Sequence, residues 1–192
     1  MKRRRIFIAI NLPEDIKKKL ADYKEKWPEL TARWTRTDNI HITLVFLGYV
    51  SDEQIPEICR AVEEVVLKHD SFDINLNRIC YGPLSQNESG SGLISGEKPP
   101  RMVWAIGEKI TELSLLKKEL DEKLGVFENR EFSPHITLAR VSKWAWQRIE
   151  PEERPEINEE INLIFSVNSV EIMESVLKRG GPEYIVLESY NL

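Results

Sequence analysis

Cysteine is nearly missing from this chain. Cys59 and Cys80 stand alone, without a Cys-x-x-Cys and without a metal-type neighbour. They are best read as buried or inert thiols in a reducing compartment. Histidine is almost as scarce, at three residues, and His41 and His135 have no third His or Cys nearby in pattern, which falls short of the ligand set a zinc site asks for. There is no excess of positive charge either. A formal balance of −5 excludes a protein that coats phosphates along a duplex. Long apolar runs are absent as well. Lys2, Arg3, Arg4 and Arg5 resemble the charged start of an export signal, but the apolar stretch from Ile6 to Ile10 is interrupted by Asn11 and Pro13, too soon for export. No segment approaches the length of a membrane span, and a cytoplasmic protein is expected. The glycine-rich stretch Gly90–Gly96 is not followed by Gly-Lys-Ser/Thr, which excludes a P-loop. No serine or threonine has a triad-like setting.

What is present points to a folded globular protein. An apolar fraction of 41% with five tryptophans among 192 residues supports one sizeable core, or two small lobes sharing an interface. Charged residues fall in mixed-sign runs such as Lys17-Lys18-Lys19 and Glu152-Glu153-Arg154, the pattern of solvated helix faces and loops. Locally, Arg33 and Arg36 bracket Trp34, and Arg140 stands near the other end of the chain. Taken singly, Arg33, Arg36 and Arg101 are surface charges. As a group, with Trp34, the basic residues suit one or two phosphates and a stacked base rather than a long groove.

The chain carries a duplication. Phe-Ile-Ala-Ile at 7–10 is echoed by Val-Trp-Ala-Ile at 103–106, and His-Ile-Thr-Leu at 41–44 recurs unchanged at 135–138. Between the members of each pair lies a segment with helical periodicity, about Pro13 to Trp27 and about Ile110 to Leu124, the second ended by Gly125 as a C-terminal cap. Each half therefore reads strand, helix, strand, over about 6–48 and 102–141, with the histidine on the second strand. A further helix is expected from Asp52 to Lys68 with Ser51 as its N-cap. Strands are expected at Phe72–Ile79, Ile161–Val167, Ser169–Leu177 and Tyr184–Glu188. Ser85 to Gly96 reads as a loop, and Pro151 to Pro155 as a charged linker. The expectation is an α+β fold over 1–192: two pseudo-symmetric lobes, each an antiparallel sheet with helices on its outer face, enclosing a central cleft.

Strand alternation gives the repeated tetrapeptide its chemical meaning. His and Thr point to one face, Ile and Leu to the other. Ile42, Leu44, Ile136 and Leu138 become core anchors, and His41, Thr43, His135 and Thr137 converge on the cleft. Cleaving a cyclic phosphate needs a base for water and an acid for the departing ribose oxygen, and imidazoles titrating near neutrality can serve as both. The threonine hydroxyls can donate to the non-bridging oxygens, where charge must be held. Opposed lobes would place acid and base on either side of phosphorus. Opening a strained five-membered ring does not oblige a metal, and no cofactor is expected. Arg140 is harder to place: strict alternation turns Ala139 to the cleft and Arg140 to the core, so the strand must end, twist or bulge near Ala139 for Arg140 to reach a phosphate. His69, at an expected helix end, reads as structural or solvated.

Phe7-Ile-Ala-Ile-Asn-Leu-Pro13, Trp34 followed by Asn39-Ile-His-Ile-Thr-Leu-Val-Phe-Leu-Gly48, Pro134-His-Ile-Thr-Leu-Ala-Arg140, Val103-Trp104 and Gly181-Pro-x-Tyr184 together resemble the two-histidine phosphoesterases. Within that group the chain is most similar to the bacterial and archaeal RNA 2′,3′-cyclic phosphodiesterases, also called 2′–5′ RNA ligases, over nearly its whole length. The resemblance implies His41 as proton donor, His135 as proton acceptor, Thr43 and Thr137 on the phosphate, and Arg140 helping to hold it; Trp34, read by itself, either covers the edge of the core or stacks on a base. It implies a 2′-phosphate product and RNA ends, tRNA fragments or small cyclic nucleotides as partners, with a monomer sufficient. Two other readings stay open at this level: 2′–5′ ligation of tRNA halves, and a nucleotide-binding module that grips phosphate without turnover.

Overall fold

The computed structural model describes residues 3–83, 99–126 and 132–192. The first half opens with β1 (Arg3–Asn11), α1 (Glu14–Asp22), a short β2 (Ala32–Trp34), β3 (His41–Ser51), α2 (Ile55–Val66) and β4 (Phe72–Gly82). The second continues with β5 (Met102–Gly107), α3 (Thr111–Leu124), β6 (His135–Val141), a one-turn α4 (Lys143–Trp146), β7 (Asn158–Val167), β8 (Ser169–Lys178) and β9 (Gly181–Asn191). The strands form two antiparallel sheets, one ordered β3-β1-β8-β9 and the other β2-β6-β5-β4-β7. The expected α+β fold is the one found.

Apart from the added β2, the two sheets have the same plan with the chain exchanged between them. β4 leaves the first half to pair with β5, and β8 returns from the second half to pair with β1. The ladders relate β1 to β5 by 95 residues, because Phe7 faces Phe46 and Met102 faces Arg140. The tetrapeptide echo at 7–10 and 103–106 is thus one residue out of structural register. Burial explains why: Ile8 and Ile10 match Val103 and Ala105, all buried in the main core, whereas Phe7 packs on the other face with Ala9 and Met173.

Ile42, Leu44, Ile136 and Leu138 are buried, and they share one core with Ile16 and Leu20 of α1, Val62, Val65 and Val66 of α2, and Leu113, Leu116 and Leu120 of α3. The helices and the histidines therefore lie on opposite faces of the sheets. α2 packs on α3 and touches β9, and His69, just past α2, reaches Glu119 of α3 at 3.2 Å. That places His69 as a structural tie between helices.

Several local boundaries differ from expectation. Ser51 is the last residue of β3, not a cap: α2 begins at Ile55, with Gln54 at the N-cap position and a proline in its first turn, a site where the missing N–H costs nothing. The Gln54 side chain accepts from the Ser51 N–H at 2.9 Å. α1 stops at Asp22 and tightens into a 3-10 turn over Tyr23–Lys26, which lets Trp27 turn inward and stack on Trp34. Gly125 caps α3 as expected, with φ of 65°. The linker after β6 contains α4 and a 3-10 turn at Pro151–Glu153, and the Tyr81 hydroxyl donates to the Pro155 carbonyl at 2.6 Å. The loop expected at Ser85 to Gly96 lies outside the described residues.

Candidate active site

Both histidines open their strands, and both are fixed by the same backbone device. Nδ1 of His41 lies 2.7 Å from the Asn39 carbonyl, and Nδ1 of His135 lies 2.8 Å from the Ser133 carbonyl. A carbonyl only accepts, so each Nδ1 carries the proton and each Nε2 is left for chemistry. At His41, the Thr43 hydroxyl donates to Nε2 at 2.8 Å. At His135, no protein group among the described residues hydrogen-bonds to Nε2. Instead the ring stacks on Trp104, with centroids 4.0 Å apart and planes 29° from parallel.

The parity problem at Arg140 is solved by a bulge that occurs twice. Trp104 pairs with Thr137 and Val103 with Ala139, so Leu138 is the extra residue. Ala9 pairs with Thr43 and Ile8 with Val45, so Leu44 is its counterpart. One inserted residue flips the face of everything beyond it. Val45 and Ala139 turn into the core, and Phe46 and Arg140 emerge on the histidine side. An aromatic ring thus occupies in one lobe the position that a guanidinium occupies in the other.

These residues line one cleft of about 360 Å³, at the small end of the range of about 300–1,000 Å³ for ligand sites. His41, Thr43, Phe46, Met102, His135, Thr137 and Arg140 face it, with Arg33, Trp34 and Arg36 along β2 and beyond. Among the described residues, three arginines and no aspartate or glutamate line the cleft, although the chain carries −5 overall. Arg33 and Arg36, read individually as surface charges, stand on its wall; Arg101 does not. Trp34 serves on both sides, since its ring is parallel to Trp27 within 2° while the residue also borders the cleft. Among the described residues, no group of three or more His, Cys, Asp or Glu is placed to hold a metal ion.

Asn39 was legible only as part of a motif, and its work is visible in three dimensions. Its side-chain amide donates to the Pro182 carbonyl at 2.7 Å, and its Oδ1 accepts from the Tyr184 N–H at 3.3 Å. The start of β9 is thereby held against the His41 strand. The Tyr184 ring meets His41 edge-on at 5.1 Å, and Phe7 closes the third side at 5.1 Å. Burial holds both imidazoles below the usual histidine range. The bonds to Asn39 and Ser133 oppose that shift, and the charges of His135 and then Lys17 reinforce it at His41.

The profile of the LigT-like phosphoesterases matches residues 10–89 and 106–184, one segment around each histidine. The chain belongs to the LigT-like phosphoesterase family. Among LigT-like relatives, the RNA 2′,3′-cyclic phosphodiesterase of Thermotoga maritima is 31% identical over 191 residues, spanning 95% of this chain and 92% of its own. That of Methanocaldococcus jannaschii is 28% identical over 190 residues, spanning 97% and 99%. The crystal structure of E. coli LigT complexed with 3′-AMP superposes with a TM-score of 0.76 at 25% identity, covering 100% of this chain and 99% of that one. The LigT-like fold thus spans both sheets and the cleft between the histidines.

Proposed function

We propose that this LigT-like phosphoesterase hydrolyses a 2′,3′-cyclic phosphate, on an RNA end or a nucleotide, to the 2′-phosphomonoester by acid–base catalysis between His41 and His135. The observation that carries this reading is the lining of one cleft: two imidazoles, two threonine hydroxyls and three arginines, with no carboxylate among the described residues that line it. The names of its relatives agree with it.

His135 acts as base. Its Nδ1 is tied to the Ser133 carbonyl, its Nε2 has no protein hydrogen bond among the described residues, and the lone pair there is open to water. It takes a proton from water as the water oxygen bonds to phosphorus. The bond from phosphorus to O3′ breaks, O3′ takes the Nε2 proton of His41, and the phosphate stays on O2′. In the resting state Thr43 donates to Nε2 of His41. Protonating His41 reverses that bond and frees the hydroxyl proton for a phosphoryl oxygen, which Thr137 matches from the other lobe. Arg140 neutralises the phosphate. Phe46, 55% exposed in the cleft, offers a ring face to the base, and the 3′-AMP bound by E. coli LigT is a ligand of that class. One chain supplies both histidines, so a monomer suffices. No helix among the described residues is long and apolar enough to cross a membrane.

The test is conversion of 2′,3′-cyclic AMP by purified protein in excess chelator. The expected product is 2′-AMP, lost in His41→Ala and in His135→Ala while circular dichroism stays unchanged. Accumulation of 3′-AMP, or a strict need for added metal, would overturn the mechanism.

A further inference from the structure

The cationic lining exceeds what one cyclic phosphate can use. Residues directly opposed on neighbouring antiparallel strands project to the same side. Arg33 of β2 stands opposite Arg140 of β6, and Arg140 opposite Met102 of β5, so the two guanidinium side chains leave the sheet as neighbours and both line the cleft. Like charges placed this way destabilise a sheet. No carboxylate among the described residues relieves them. The Arg140 guanidinium lies 3.8 Å from the Met102 sulfur, and Arg33 donates to the Gly180 carbonyl at 2.6 Å. Arg36 has a loose pair with Asp38 at 3.7 Å, both side chains more than half exposed, which is worth little in water.

Arg33 is nevertheless built into its place. Gly181 has φ of 118°, and the Arg33 guanidinium occupies the space that any β-carbon there would need. The β8–β9 turn of one sheet thus packs directly against an arginine from the edge of the other. A cyclic phosphate carries one negative charge, and Arg140 beside Thr137 answers it. Arg33 faces the same cleft with no carboxylate partner among the described residues, and Arg36 faces it with its loose pair to Asp38 and the charge of Glu183 nearby. Adjacent strands lie about 4.8 Å apart, and two arginine side chains reaching from neighbouring strands can engage successive phosphates of one strand.

We infer that Arg33 and Arg36 form a second phosphate subsite, which holds the phosphodiester immediately 5′ of the terminal nucleotide. This inference rests on the hydrolysis proposed above and assigns the two residues that would favour an RNA end over a free cyclic mononucleotide.

The experiment compares kcat/KM for three substrates: a dinucleotide ending in 2′,3′-cyclic phosphate, the same molecule with an uncharged methylphosphonate internal linkage, and a cyclic mononucleotide. The charged dinucleotide is expected to exceed the other two by about tenfold at low salt, the worth of one charge-assisted contact, and the gap should narrow as salt is raised. Arg36→Gln should shrink the ratio of charged to uncharged dinucleotide. Arg33→Gln should do the same, and because it also releases Gly180, the ratio rather than the absolute rate is the readout. Calorimetric binding of the two dinucleotide 2′-phosphate products applies the same comparison without turnover. Equal rates and equal affinities for charged and uncharged linkages would sink the second subsite and leave hydrolysis standing. Failure to turn over any of the three, with binding still favouring the charged linkage, would instead remove the proposed reaction and keep the subsite.

Discussion

In the four-stranded sheet, His41 is enclosed: its Nδ1–H donates to the Asn39 carbonyl, Thr43 donates to Nε2, and the rings of Phe7 and Tyr184 close two sides. In the five-stranded sheet, His135 has the same bond to a carbonyl two residues back, but it lies flat on Trp104 with Nε2 open. The bulge after each threonine is also shared, yet one ends in Phe46 and the other in Arg140. Backbone geometry is what the two halves have in common. Side-chain surroundings are where they part, and acid and base, or base platform and phosphate clamp, can differ only there.

The comparison can be broken most severely at the histidines. If each lobe supplies one partner of an acid–base pair, His41→Ala and His135→Ala should each lower kcat by about 10²–10⁴-fold in steady-state assays on a cyclic nucleotide. A single variant that kept most of its rate would show that the lobes do not divide the work. Next come the diverged bulge positions. Phe46→Ala should weaken binding by about 1–3 kcal/mol, the worth of one stacked base, read as a raised KM. Arg140→Gln should lower kcat/KM for every cyclic substrate whatever its base, if its role is the proposed one on phosphate.

A smaller contrast lies between Asn39 and Ser133, which offer equivalent carbonyls. The Asn39 side chain also clamps Pro182 and Tyr184, so Asn39→Ala should cost about 1–3 kcal/mol of stability and lower kcat in parallel. Ser133→Ala should be close to neutral in thermal melts and in rate, since the described contact of Ser133 with the site is through its backbone. The gentlest probe is pH. Both imidazoles are held below the usual histidine value, mainly by burial, and catalysis needs one protonated and one neutral. As pH rises through the higher of the two values the acid loses its proton, so kcat/KM should already be falling at about 6.5, the ordinary histidine pKa. A profile centred above 7 would mean that the free cleft is less desolvating than its geometry implies.

Much of this site was legible because strand alternation is local. The period of two assigned Ile42, Leu44, Ile136 and Leu138 to the core and the histidines and threonines to the other face. It failed just beyond, at Val45 and Ala139, because an added residue in one strand leaves no mark in composition. The conflict at Arg140 was the visible trace of that bulge, and the same reasoning applied to Phe46 would have found the ring opposite. Arg33 and Arg36 were undervalued because charge on or just past a short edge strand looks like solvated surface until the facing turn is known. Asn39 and Tyr184 stood in recognised motifs, but their meeting spans 145 residues.

By itself, the sequence determined the two strand–helix–strand halves, the parity of each His-x-Thr and the chemistry those side chains can perform, since each depends on residues within one or two turns or strands. Only the tertiary structure decided which strands complete each sheet. β4 and β8 cross between halves, and β2 joins the sheet opposite to its neighbours in the chain. Such pairings are chosen by competition among distant apolar faces for one shared core, and no local pattern records the outcome.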